Sequence, residues 1–317
     1  MSLGTGTRLI LGYTRMRHHE RVDMEELKSN VFDTALIFEG GGMRASYTCA
    51  IVNALLDEGI YFDHVYGVSA GSSNTVNYVS RDTERARKSF TDIVTYPKFG
   101  GMRYLLTHRG WFYAENIYQK MGLPGNILPF DMETFLANPA KVTICATERD
   151  TGNTRYWTKD DMPTIEDLMA RVRTSSTLPI VMPPLKINGS YYYDGGLAEG
   201  NGLLIPKAKA DGFERFFIVR TRPKGFRKPE KPAAAVRAFF WRRPAMQKAL
   251  DAWGPGYNEM CDEAERLEAQ GKACVVYAEQ VTAENNTCDL EILKANYAAG
   301  AAQAKRDMAT WKEFLGF

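Results

Sequence analysis

FDHVYGVSAGSSNTVNYVSR, residues 62–81, changes its hydrophobic period on either side of one serine. FDHVYGVS has the β-branched and aromatic residues of a short strand, and AGSSNTVNYVSR has helical spacing. Between them lies Gly67-Val68-Ser69-Ala70-Gly71, a G-x-S-x-G frame. On such a strand-to-helix turn the serine backbone is strained and the glycines let strand and helix pass closely. The helix N-terminus behind Ser69 favours negative charge, and the Ala70 N–H is placed to donate to an oxyanion. Taken alone, the frame is equally compatible with a glycine-lined turn capped by Ser69.

The same alternation extends outward. TALIF (34–38) is a buried-strand run that stops at EGGG, and residues 44–58 have helical spacing with Gly59 as a C-cap candidate. Strand, helix, strand, helix implies a parallel sheet with crossovers. KVTICAT (141–147), FERFFIVRT (213–221) and KACVVYAEQ (272–280) read as further strands. TIEDLMARVRTSS (164–176) reads as a helix with Thr164 and Asp167 in capping positions. NEMCDEAERLEAQG (258–271) and the tail 289–315 are also helical in pattern. The tail has two compatible placements, completing the main sheet or forming an appendage. Residues 97–130, rich in Gly, Pro and aromatics, read as a wall or lid, and RPKGFRKPEKPAAA (222–235) reads as a surface connection.

Bulk properties narrow the function classes. Lys+Arg is 40 against Asp+Glu 38, a net charge of +2 that gives no electrostatic case for a nucleic-acid partner. The 5 cysteines are widely spaced with no CxxC, so they form neither a disulfide framework nor a zinc site, and a reducing cytoplasm is the expected setting. No apolar run is long enough to span a bilayer. Peripheral contact at the inner membrane face stays open, and FRKPEKP and FFWRR (226–243) read as a solvated face with some packing rings or a weak headgroup patch.

Two further glycine-marked sites bear on chemistry. EGGGMR (39–44) exposes several backbone N–H groups in one concavity, an anion site suited to a phosphate or an oxyanion. It lacks the lysine and hydroxyl of a Walker A loop. GGGMRA formally fits G-x-G-x-x-A, but Asp57 and Glu58 fall at a helix end where a dinucleotide site wants an acid after the next strand. YYYDGG (191–196) sets Asp194 at a strand end before Gly195 and Gly196, where a plain turn aspartate is the commoner reading.

A serine needs a base. The 4 histidines stand at 18, 19, 64 and 108. After Ser69 only His108 remains, and it precedes Asp194, so the serine–acid–histidine order of α/β-hydrolases is absent. That leaves a carboxylate, with Asp194 the best marked. A desolvated carboxylate with a raised pKa can take a serine proton.

In this order, Glu39-Gly40-Gly41-Gly42-Met43-Arg44, Gly67-Val68-Ser69-Ala70-Gly71 and Asp194-Gly195-Gly196 resemble the patatin-like phospholipase family. SSTLPIVMPPLKINGSYYYDGG (175–196) and IPKAKADGFERFFIV (205–219) resemble the family's surroundings of its aspartate. The resemblance covers roughly residues 33–222. Helix 164–174 and the C-terminal tail are similar to a bacterial subgroup. It implies a three-layer α/β/α fold with a mostly parallel sheet: a catalytic domain over 33–222 and an α/β extension over 223–317. It implies phospholipase A, lysophospholipase or esterase chemistry on lipid or lipid-like esters, without cofactor or metal. Ser69 would be the nucleophile and Asp194 the base. Gly41, Gly42 and Ala70 would supply the oxyanion hole, supported by Gly40, Arg44, Gly67, Gly71, Gly195 and Gly196. Glu39 departs from the family's usual aspartate. A non-catalytic lipid or acyl-ligand binder on the same scaffold is the alternative.

Overall fold

The computed structural model describes residues 27–107 and 110–317, so His18, His19 and His108 lie outside the described residues. The first crossover runs from β1 (Thr34–Phe38) through α1 (Ala45–Asp57) to β2 (His64–Val68). Next come α2 (Ala70–Val79), α3 (Thr83–Lys88), α4 (Met102–Leu106) and α5 (Met132–Ala137). Then β3 (Lys141–Glu148), β4 (Thr154–Trp157), α6 (Ile165–Ser175), β5 (Leu185–Ile187) and β6 (Ser190–Asp194) follow. The chain closes with α7 (Ile205–Ala210), β7 (Arg215–Val219), α8 (Ala234–Phe239), α9 (Pro244–Ala269), β8 (Ala273–Val276) and α10 (Leu290–Leu315).

These strands form one mostly parallel sheet. β3, β2, β1, β7 and β8 run parallel as successive neighbours, while β4 and β6 pair antiparallel with β3 and β5 pairs antiparallel with β6. Side chains alternate across a strand, so each strand feeds two cores. Leu36, Phe38, Val65, Val142, Ile144 and Phe217 face the layer of α1, α2, α6 and α10. Ala35, Ile37, Tyr66, Cys145, Phe216 and Ile218 face α7 and α9. The result is the three-layer α/β/α arrangement.

The C-terminal extension is built into both layers. β8 bonds to β7 in the sheet, and α10 packs on α1. On α10, Trp311 is buried with its ring edge-on to Phe217 at 5.5 Å. The Asp289 carboxylate caps the start of α10 by accepting from the Glu291 and Ile292 N–H groups. Of the sequence-predicted helices, 164–176 starts as expected, with the Thr164 hydroxyl accepting from the Asp167 N–H.

Two segment readings need correction. α9 begins at Pro244, not near residue 258, and runs through Pro255. Residues 229–230 cross the helix there, close enough that a Cβ on Gly254 would lie 2.1 Å from the Pro229 carbonyl oxygen. The connection 222–235 is not wholly a surface segment. Lys228 turns inward, its backbone exchanging hydrogen bonds with the Asn258 side chain and its ammonium lying 4.2 Å from the Trp253 ring and 3.7 Å from the Tyr257 ring.

Because α10 covers the sheet through Trp311, Trp311→Ala is expected to destabilise the protein by about 3–5 kcal/mol. Urea unfolding measures it, and a loss below about 1 kcal/mol would mean that the tail contributes little to the core.

Candidate active site

The register of β3 creates the site. Val68, the last residue of β2, lies opposite Cys145. Asp194, the last residue of β6, lies opposite Ala146. Ile144 and Cys145 bond β2 on one edge and β4 on the other. Ala146 and Thr147 bond β4 and β6. β6 therefore takes the edge of β3 that β2 has just left, arriving from the opposite direction. The two strand ends meet, and residues 125 positions apart in sequence come within hydrogen-bond reach.

Ser69 Oγ donates to Asp194 Oδ2 at 2.6 Å. Both residues are buried, at 8% and 4% exposure. The other carboxylate oxygen, Oδ1, accepts from the Gly196 N–H at 2.6 Å. Burial raises the Asp194 pKa to about 6, against the lowering effect of the Ser69 and Gly196 hydrogen bonds and of the Lys228 charge. A carboxylate with that pKa is ionised at neutral pH and basic enough to receive a hydroxyl proton in a reaction.

Ser69 has φ 55° and ψ −127°, an unusual conformation for a non-glycine residue. Neighbouring structure enforces it. A Cβ on Gly71 would sit 2.2 Å from the Phe38 carbonyl oxygen, so α2 starts directly against the end of β1. The Ser69 N–H is held by Ser175 Oγ at 3.0 Å.

The glycine loop lies beside this turn. Gly42 adopts φ +56° beneath Asn285, whose carbonyl oxygen accepts from the Met43 N–H at 3.1 Å. Among the described residues, the N–H groups of Gly41, Gly42 and Ala70 have no acceptor. The loop is anchored by Glu39, which is buried. Its Oε1 accepts from Tyr257 OH at 2.6 Å, and its Oε2 from the Thr221 N–H at 2.5 Å and Arg220 Nε at 3.1 Å. Burial pushes the Glu39 pKa upward, but the Arg220 charge and these hydrogen bonds outweigh it and hold the carboxyl below its ordinary value.

A cavity of about 840 Å³, solvent at its mouth included, opens on Ser69, Ala70, Gly42 and Met43. Its wall continues along α2 through Ser73 and Val76, with Phe90, Ile93, Phe99, Phe112, Leu128, Met169, Val172 and Met182 around it. The excursion 97–130 supplies several of these rings, so it is a wall of the cavity. The lining is mostly apolar and suits an acyl chain, with Ser69, Ser73, Arg85, Ser89, Ser176 and Asn285 among its polar members.

The sequence-predicted residues divide as follows. Ser69, Gly42 and Ala70 line the cavity, Asp194 joins them through its hydrogen bond to Ser69, and Gly41 is buried next to the lining residue Gly42. Gly40 and Gly195 pack against the elbow strand, and Gly67 against Gly71 and Thr75. Arg44 does not line the cavity, and its Nη1 lies 3.6 Å from Glu284 Oε2. His64 lies at the start of β2, bonded to Thr143 and Tyr66, and burial lowers its pKa to about 4. Of the basic segment, Trp241 and Phe239 are exposed, Phe240 is buried, and Arg237 and Arg243 pair with Asp251 and Asp150. Sequence reading missed Ser175, Arg220, Tyr257, Lys228 and Asn285. No local motif marks them, because each acts through a contact that only the assembled layers provide.

A family model described as patatin-like phospholipase matches residues 36–206, just over half of the 317 residues. The chain belongs to the patatin-like phospholipase family. A second model, described as a domain of unknown function (DUF6363), matches residues 243–316 of this patatin-like protein, from α9 through α10. No curated protein matches it significantly. Among solved structures, VipD from Legionella pneumophila is similar at 13% identity and TM-score 0.48, covering 88% of this chain and 67% of its own. The type III effector protein ExoU is similar at 11% identity and TM-score 0.38, covering 87% of this chain and 53% of its own. Family membership displaces the dinucleotide reading of GGGMRA.

Glu39→Ala would leave the Arg220 guanidinium buried at 1% exposure without its carboxylate partner. The expected loss is about 3–5 kcal/mol, read from guanidinium unfolding.

Proposed function

We propose that this patatin-like protein is a serine acyl hydrolase that cleaves lipid or lipid-like carboxylic esters with a Ser69–Asp194 dyad. The observation that carries the reading is the 2.6 Å hydrogen bond between the two buried side chains at the mouth of an apolar cavity.

Ser69 Oγ attacks the ester carbonyl carbon as its proton passes to Asp194 Oδ2. The carbonyl oxygen becomes an oxyanion that accepts from the N–H groups of Gly41, Gly42 and Ala70, which have no other acceptor among the described residues. The bond to the leaving oxygen breaks, and Asp194 returns the proton to that oxygen, releasing the alcohol. Water then attacks the acyl-serine and gives its proton to Asp194. Collapse of the second tetrahedral species frees the acid, and Ser69 regains the proton. Strain at Ser69 keeps Oγ exposed to the cavity through both halves. Exposed Trp241, at 72%, with Arg242 beside its ring, supports peripheral contact with a lipid surface as the source of such esters.

Ser69→Ala is expected to abolish hydrolysis of a p-nitrophenyl acyl ester without changing the thermal unfolding midpoint. Asp194→Asn should lower kcat by about 10²–10⁴-fold. A fluorophosphonate should label Ser69 in the native protein, and failure to label at any pH would favour a lipid binder on this scaffold. Asp194 must be ionised to accept the proton and its pKa is about 6. kcat/KM should therefore be flat above that value and fall about tenfold per pH unit below it.

A further inference from the structure

The cavity that opens at Ser69 is apolar along most of its wall but, among the described residues, contains one arginine. Arg85, on α3, lines it and is 9% exposed. Its guanidinium is only partly occupied. Nε donates to the Leu128 carbonyl oxygen at 3.4 Å, Nη1 donates to Asn77 Oδ1, and the group lies 4.9 Å from the Phe130 ring. Nη2 has no partner among the described residues, and no carboxylate there forms an ion pair with Arg85. The nearest candidate, Asp82, instead caps α3 by accepting from the Arg85 backbone N–H. Burial pushes the Arg85 pKa down to about 10, so the group remains a cation at neutral pH. Ser89 Oγ lines the same cavity and is buried without a hydrogen-bond partner.

A buried cation with no direct ion-pair partner, Asp82 acting on it only at a distance, is costly, and an unpaired buried hydroxyl adds to that cost. A methyl-terminated chain reaching this end would leave both uncompensated. A carboxylate would satisfy them by accepting a charge-assisted hydrogen bond from the free Nη2 and one from the Ser89 hydroxyl. The rise of α2 sets a scale. Ser69 caps α2 and Asn77, bonded to Arg85, lies eight residues along it, an axial rise of about 12 Å between the two backbone positions. A medium-length extended acyl chain is of that order.

We propose that Arg85 and Ser89 form a subsite for an anionic acyl terminus, so that the preferred acyl group is medium-length and carries a carboxylate at its far end. This deepens the hydrolase reading above and rests on it for turnover. The subsite itself is a statement about binding.

The test compares p-nitrophenyl decanoate with the mono-p-nitrophenyl ester of decanedioic acid. The wild-type protein should favour the carboxylate-ended ester by at least about tenfold in kcat/KM. Arg85→Met should lower that ratio by at least about tenfold, and Ser89→Ala by several-fold, which keeps the test available should Arg85→Met fail to fold. A ratio below one in the wild type, or a ratio that neither substitution changes, would overturn the proposal and leave Arg85 as a tie between α3 and the 97–130 wall. Calorimetry with the Ser69→Ala protein separates binding from chemistry. Decanedioate should bind more tightly than decanoate, and equal or weaker binding counts against the subsite. If no ester is turned over while decanedioate still binds in an Arg85-dependent way, the hydrolase reading fails and the subsite stands.

Discussion

The edge of β3 on which two strand ends meet is the constraint from which the site follows. β2 arrives parallel and leaves after Cys145, and β6 arrives antiparallel and ends on Ala146. A one-residue slip in either ladder would move Ser69 and Asp194 apart and reverse the faces of every side chain on the slipped strand. The register is secured by burial on both faces, since Val68 and Cys145 belong to one core while Ile144 and Ala146 belong to the other. The 2.6 Å hydrogen bond is thus an outcome of sheet packing.

Desolvation then gives that geometry its electrostatic character. Asp194 is held by one hydroxyl and one backbone N–H, few donors for a buried carboxylate, so burial prevails and its pKa rises. Glu39 is buried just as deeply, but a guanidinium, a phenol and a backbone N–H meet it, and its pKa falls. The two carboxylates shift in opposite directions for this reason. Glu39 is a fixed anion tying the glycine loop to the end of β7 and to α9, while the Asp194 pKa is raised to about 6. The glutamate in place of the family's usual aspartate has one more methylene, and here its two oxygens reach Thr221 on one side and Tyr257 on the other.

The C-terminal extension contributes directly to the site. α9 supplies Tyr257 to Glu39 and positions Trp253 and Lys228 near the Asp194 end. The segment before α10 places Asn285 over Gly42 and accepts the Met43 N–H, while the N–H groups of Gly41 and Gly42 have no acceptor among the described residues. The loop's shape therefore depends on residues more than two hundred positions away, which fits the way β8 and α10 merge into the sheet and the α1 layer.

The sequence by itself determined the elements whose signals are local. The period change around Ser69, the apolar run TALIF, the glycines at 40–42 and the Asp-Gly-Gly after a strand were legible because backbone strain and close approach restrict residue choice at those points. Histidine number and order pointed away from the usual base and toward a carboxylate. Tertiary structure alone decided the rest. The direction from which β6 meets β3, the inward turn of Lys228, the continuation of α9 through Pro255 and the isolation of Arg85 in the cavity wall are long-range packing outcomes. The physical reason is that propensity and capping act over a few residues, whereas burial, and the electrostatics it creates, depends on which layers close over a side chain.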